Sequence, residues 1–137
     1  MAINVNLYIK KDTLVCRLDG EMDQLTSDDL RLKLSELIIK YQVKNIIFNM
    51  HDLTFLDSSG IGVIIGRYNQ IKHNNGKIVL CELNEYINKI IELSGLKKIC
   101  EVKETEELSK FYLGVALWIK WTLVFYQKLK ISVLQEM

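Results

Sequence analysis

Val5, Leu7 and Ile9 alternate with polar neighbours, and Leu14 to Leu18 follow a Lys11-Asp12 turn, so the chain opens with a hairpin of two strands. At Gly20-Glu21-Met22-Asp23 the period of two gives out. Thr26 with Asp29 three residues on predicts a capping box. Leu30, Leu34, Leu37, Ile38 and Tyr41 then share one face of a helix ending near Tyr41. Asn45 to Asn49 is a short β-branched run, the pattern of a strand buried on both faces, and a turn is expected at His51 to Leu53. After Ser58-Ser59-Gly60, the apolar positions Ile61, Ile64, Ile65, Tyr68 and Ile71 give a second amphipathic helix, closed by Asn74-Asn75-Gly76. A strand over Lys77 to Leu83 follows. Asn84 caps a third helix that Gly95 ends, a short strand spans Ile99 to Val102, and Thr105 caps a fourth helix to about Leu113.

After the hairpin, helix and strand alternate with connections of a few residues. That order predicts an α/β fold, with a small mixed β-sheet and about four helices packed on it. Residues 1–116 read as one domain without repeat or linker, and residues 117–137 as an atypical tail.

Composition narrows the function classes. With 18 basic and 17 acidic side chains the chain lacks the excess positive charge that a nucleic acid demands, so no nucleic-acid partner is expected. Cys16, Cys81 and Cys100 sit far apart in apolar runs and read as buried thiols of a reducing compartment. The N-terminus shows no signal peptide, which points to the cytoplasm. Proline is absent, alanine occurs only at positions 2 and 116, and lysine greatly outnumbers arginine, all marks of an AT-rich genome.

The candidate site is Asp57-Ser58-Ser59-Gly60-Ile61-Gly62, where an extended segment turns into a helix. Ser58 should be exposed at the helix N-terminus. Unpaired amides and the positive end of the helix dipole there tolerate an added phosphate, while the Asp57 carboxylate repels it. Such a hydroxyl suits an on/off binding switch, although on local chemistry alone a plain helix cap ranks first.

Other chemistries fail on spacing. A dinucleotide fingerprint starting at Gly60 needs glycine at position 65, which is Ile65, and no Walker A tripeptide occurs. The serine-hydrolase elbow needs glycine where Leu56 stands. His51 and His73 lack ligand-spaced companions, so neither a metal nor a cofactor is expected, nor is enzymatic activity.

The residues Gly20-Glu21-Met22-Asp23, the run Asp57-Ser58-Ser59-Gly60-Ile61-Gly62 continuing to Tyr68, and Ser94-Gly95-Leu96 together resemble a STAS domain, most of all the anti-sigma F factor antagonists of endospore-forming bacteria. The resemblance implies a STAS fold with helices on one side of the sheet. It also implies a partner-switching role. The dephosphorylated form would bind an anti-sigma serine kinase and release the sporulation sigma factor. The kinase would phosphorylate Ser58 and a serine phosphatase would reset it. Asp23 and Asp57 match acidic positions beside that serine, and Ser59, Gly60, Ile61 and Gly62 match the docking surface. Two alternatives remain: a STAS module of another pathway, such as general stress signalling or a membrane-associated lipid-transport system, and a nucleotide-binding enzyme using the Ser58 to Gly66 helix start.

The tail departs from the resemblance. Lys120, Lys128 and Lys130 interrupt its apolar residues, so stable membrane insertion is not expected, and an interfacial amphipathic helix is one of two readings. The tail also reads as a frameshift product. Writing Leu117-Trp118 as TTA TGG opens an overlapping start codon, and AT-rich codons allow that second frame to continue.

Overall fold

The computed structural model describes residues 2–114 and 123–132, with backbone alone at 123 and 124. Its elements run β1 (Ala2–Lys10), β2 (Thr13–Met22), α1 (Gln24–Tyr41), β3 (Asn45–Leu56), α2 (Ser58–Ile71), β4 (Ile78–Cys81), α3 (Glu85–Ser94), β5 (Glu101–Lys103), α4 (Glu106–Tyr112) and β6 (Leu123–Ser132). They build a mixed six-stranded sheet of order β5-β4-β3-β2-β1-β6. β2 to β5 are parallel, and β1 is antiparallel to both its neighbours.

Strand alternation sorts the side chains. Ile3, Val5, Leu7 and Ile9 of β1, Leu14, Cys16 and Leu18 of β2, and Ile46, Phe48 and Met50 of β3 share a core with Leu30 and Leu34 of α1, Val63 and Ile64 of α2, and Ile87 and Ile91 of α3. Fully burying one such side chain contributes about 1.5–3 kcal/mol, and a one-residue slip would turn a whole strand's set outward. The opposite residues, Tyr8, Val15, Ile47, Val79 and Cys81, form a second cluster covered by Tyr112 and Leu113. α4 therefore lies on the other face, which corrects the expectation of helices on one side. The three cysteines are free and buried, as expected, and burial pushes the Cys81 and Cys100 thiols up to about 12.

Several boundaries differ from the sequence reading. Asp23, not Thr26, caps α1, and the expected turn at His51–Leu53 is strand, because β3 continues to Leu56 alongside the end of β2. Two irregularities in that pairing, near Arg17/Asp19 and Gly20/Glu21, absorb the polar residues that looked like a turn. β4 is Ile78–Cys81 rather than Lys77–Leu83, and β5 is Glu101–Lys103 rather than Ile99–Val102.

The tail brings the largest correction. Over Leu123–Ser132 it is a strand and not an amphipathic helix, paired antiparallel with β1 from Lys10↔Leu123 to Ala2↔Ser132. Its pattern has period two: Phe125, Gln127 and Leu129 are half-buried and Ile131 is buried, while Tyr126, Lys128, Lys130 and Ser132 are exposed. Phe125 lies 5.3 Å from the Tyr41 ring at the end of α1. The rest of the tail lies outside the described residues.

Candidate functional site

β2 and β3 run parallel and end side by side at Met22 and Leu56, so α1 and α2 start as neighbours. Each start is capped by aspartate. Asp23 Oδ1 accepts from the Leu25 and Thr26 amides, both at 2.9 Å, and the Asp23 amide donates to Thr26 Oγ1 at 3.1 Å. Asp57 Oδ1 accepts from the Ser59 amide at 2.9 Å and the Gly60 amide at 3.1 Å. The two entrances are tied by the Asp57 amide, which donates to the Met22 carbonyl at 3.3 Å. Side-chain oxygens thus take up helix-end donors that would otherwise lack partners.

Ser58 is the first residue of α2 and is exposed. Its hydroxyl makes no hydrogen bond among the described residues. Asp57, Ser59 and Ile61 are half-buried around it and Gly62 is exposed. Gly60 is buried so closely against Leu56 and Met22 that a side chain there would strike both. Asp23, matched to an acidic position beside Ser58, is buried. It is 4% exposed, and its Oδ2 is buried without a partner, so its demonstrated work is to cap α1.

The approach to the site depends on features that the motif did not reveal. Gly20 adopts φ +123°, and a β-carbon on it would meet the Ala2 carbonyl oxygen at 2.6 Å, so glycine lets β1 and β2 close up here. Thr54 Oγ1 donates to the Gly20 carbonyl at 2.9 Å, and Asn84 Nδ2 to the Leu53 carbonyl at 3.2 Å, fixing the end of β3 from both sides.

On the opposite sheet face, Glu106 anchors α4. Arg17 Nε and Nη2 donate to its two carboxylate oxygens at 2.8 and 2.7 Å, Tyr8 Oη donates at 3.1 Å and Asn49 Nδ2 at 3.2 Å. Burial raises the Glu106 pKa. The hydrogen bonds from Arg17 and Asn49, with the charges of Arg17 and Lys110, outweigh it and hold the group at about 2. Sequence spacing could not show this cluster, since its members come from four separate elements. A groove of about 590 Å³ lies nearby, lined by Asn6, Arg17, Asp19, Asn49 and Lys128 among others. None of residues 58–66 lines it, so the groove lends nothing to a nucleotide site at the α2 start. Among the described residues no group of three or more histidine, cysteine or acidic residues is placed to hold a metal, and no helix is long and apolar enough to cross a membrane.

Comparison with known proteins places this geometry. The STAS domain family model matches residues 4–109. An anti-sigma F factor antagonist of Paenibacillus polymyxa is 35% identical over 106 residues, covering 77% of this chain and 91% of that protein. An anti-sigma-B factor antagonist of Listeria monocytogenes is 31% identical over 110 residues, covering 76% and 93%. The solved structure of the Bacillus cell fate determinant SpoIIAA in its phosphorylated form superposes with a TM-score of 0.65 at 31% identity, covering 80% of this chain and 98% of that one. Two capped helix starts around one exposed serine, on a mixed sheet matched over nearly the full length of such relatives, lead to one conclusion: the chain belongs to the STAS domain family, as an anti-sigma factor antagonist.

Proposed function

We propose that the dephosphorylated chain binds an anti-sigma serine kinase in the cytoplasm and thereby releases the sporulation sigma factor, and that phosphorylation of Ser58 by that kinase ends the binding. A serine phosphatase would restore the hydroxyl. The observation that carries this reading is the Ser58 hydroxyl, exposed and without a hydrogen bond at the first position of α2. A kinase reaches such an oxygen without unfolding anything.

The electrostatics give the switch its sign. A phosphoserine carries about −1.5 to −2 charges at neutral pH. Asp57 already holds the Ser59 and Gly60 amides, so the phosphate gains the helix dipole but not those two donors. Its charge and bulk project toward whatever docks on Ser59, Ile61 and Gly62. A partner fitted to a neutral hydroxyl must then desolvate a dianion beside a carboxylate, which is unfavourable. That a relative, SpoIIAA, is known in a phosphorylated form supports this reading.

The test is incubation with the anti-sigma kinase and ATP, mapping of the modified residue, and titration of Ser58→Asp and Ser58→Ala. Ser58→Asp should weaken binding, and Ser58→Ala should keep it while blocking phosphorylation. Equal affinity of all forms would refute the switch. The likeness to the Listeria anti-sigma-B factor antagonist supports a second reading, control of a general stress sigma factor. Binding assays against the anti-sigma factors of both pathways separate the two.

A further inference from the structure

The fold sorts charges that the chain order mixes. The starts of β2, β3, β4 and β5 lie side by side, with Thr13 beside Asn45, Ile46 beside Ile78 and Val79 beside Glu101. Because these strands are parallel, α1, α2 and α3 each return to this same end of the sheet. α4 ends here too, since Tyr112 lines a hollow of about 350 Å³ with Gly76, Lys77 and Lys98. The connecting residues 10–13, 40–45, 72–78 and 92–101 form the base of the domain. They hold eight lysines against three acids, Asp12, Glu92 and Glu101, in a chain whose net charge is +1. Lys97 pairs with Glu92 at 3.0 Å, and Glu101 is held by Lys103 at 3.8 Å. Lys11, Lys40, Lys44, Lys72 and Lys98 are exposed and have no ion pair among the described residues. Acids gather at the other end, where Glu21, Asp23, Asp57 and Glu85 stand at strand ends and helix starts.

Apolar side chains break the surface at the base as well. Among the described residues the three most exposed large hydrophobics are Leu93 at 90%, Phe111 at 73% and Ile39 at 72%. Each stands in the last turn of a different helix, α3, α4 and α1. α1 and α3 cover one sheet face and α4 the other, so the three tips straddle the end of the sheet. Single exposed leucines are ordinary, but protruding tips set among unpaired lysines mark a contact surface.

Flexible point cations beside apolar tips fit the boundary of an anionic bilayer. Its headgroups draw lysine, and the space between them takes apolar side chains. A nucleic acid fits less well. The base holds no arginine for bidentate phosphate contacts, and Leu93 and Ile39 offer no face on which a base could stack. A second copy would set lysine against lysine, because both bases carry the same sign.

We propose that this end of the domain is a membrane-docking base that seats the protein on a surface of anionic phospholipid. Ser58 opens α2, and the base lies at the far end of that helix, 14 residues or about 21 Å away. A chain seated in this way turns Ser58 and the acidic end toward solution, so lipid contact and partner binding coexist. The proposal stands apart from the reading of Ser58 as a switch.

The test is co-sedimentation of the full chain with vesicles of phosphatidylcholine alone and of phosphatidylcholine mixed with phosphatidylglycerol. The chain should pellet only with the mixed vesicles and be released as salt rises. Lys72→Gln/Lys98→Gln and Leu93→Ser/Phe111→Ser should each bind about tenfold more weakly while melting like the wild type. Should the serine variant melt early, Ile39→Ser supplies the same reading. Ser58→Asp should pellet as the wild type does, whatever its affinity for the kinase, and its failure to pellet would place the contact at the other end and overturn the base. Equal pelleting with both vesicles, pelleting with neither, or full retention by both double variants also overturns it. Duplex DNA that holds the chain where the mixed vesicles do not assigns the lysines to a nucleic acid, and a wild-type dimer that the serine variant splits assigns the tips to a second copy. Either result overturns the proposal.

Discussion

Gly60 lies so close to Met22 that a β-carbon on it would sit 2.8 Å from the Met22 carbonyl oxygen and 2.6 Å from Leu56 Cδ1. The same carbonyl accepts the Asp57 amide. The two helix starts of the site can be neighbours only because this position has no side chain. Gly60→Ala should therefore push α2 away from β2 at a cost of about 1–3 kcal/mol, since the obstacle is partly backbone. Urea denaturation measures the loss, and kinase titration should show weaker docking.

Replacing the hydroxyl itself should leave the fold alone. Asp57 and not Ser58 caps α2, so Ser58→Ala should change stability by less than about 0.5 kcal/mol. Ser58→Asp places a negative charge in the first turn and should be neutral or stabilising by about 0.3–1 kcal/mol. Thermal melts beside binding curves check this. Loss of binding with Ser58→Asp at undiminished stability assigns the effect to the interface, and a large drop in melting temperature would assign it to unfolding.

Asp57 carries the cap through one oxygen that accepts two amides. Asp57→Ala should cost about 1 kcal/mol, and Asp57→Asn, which keeps an acceptor in place, only a few tenths. Chemical denaturation of the two variants separates capping from charge. Kinase phosphorylation rates on the same pair report what the carboxylate does beside Ser58.

Glu106 should govern the acid limb of stability. Its pKa lies at about 2, against 4.5 for an unperturbed glutamate, so the ionised group stabilises the fold fully above the higher value. That contribution fades as pH falls from 4.5 through about 2. The shift sets a ceiling of about 3 kcal/mol. With 45% of the Arg17 side chain exposed, solvent screening lowers the expected value to about 1–2 kcal/mol. Urea melts near about pH 6 and about pH 3 should show the wild type losing somewhat more than half of this amount and Glu106→Gln losing correspondingly less.

β6 should be dispensable for function and useful for stability. The family match ends at residue 109, yet β6 covers the β1 edge and buries Ile131. A chain ending at residue 116 should keep its affinity for the kinase, melt at a lower temperature, and self-associate more readily through the uncovered edge of β1. An unchanged melting temperature would show that the strand contributes nothing in solution. The genomic DNA separately tests the overlapping-frame origin of the tail.

Local pattern was enough to place most of the architecture. The alternation of Val5, Leu7 and Ile9 reports a sheet with one strongly apolar face, and the spacing of Leu30, Leu34 and Leu37 reports a helix laid on it, because periods of two and 3.6 are written in consecutive residues. The exposed serine at the start of α2 was legible too, since Asp57-Ser58-Ser59-Gly60 is a contiguous strand-to-helix start. Asp23 was singled out, but its burial was not legible. Whether a cap faces solvent or a neighbouring helix depends on which strands lie side by side.

What the chain order alone could not decide was everything made by pairing across long separations. β3 remains a strand through His51 and Asp52 because the end of β2 runs beside it, and the tail becomes β6 because β1 offers an open edge to a segment of period two. Glu106 gathers Tyr8, Arg17 and Asn49 from three strands, contacts 57 to 98 residues apart in sequence. The sequence determined which residues are apolar, which serine opens α2 and how each element winds. The tertiary structure decided which polar groups meet, because hydrogen-bond partners are chosen by strand order and register, and those belong to the whole sheet.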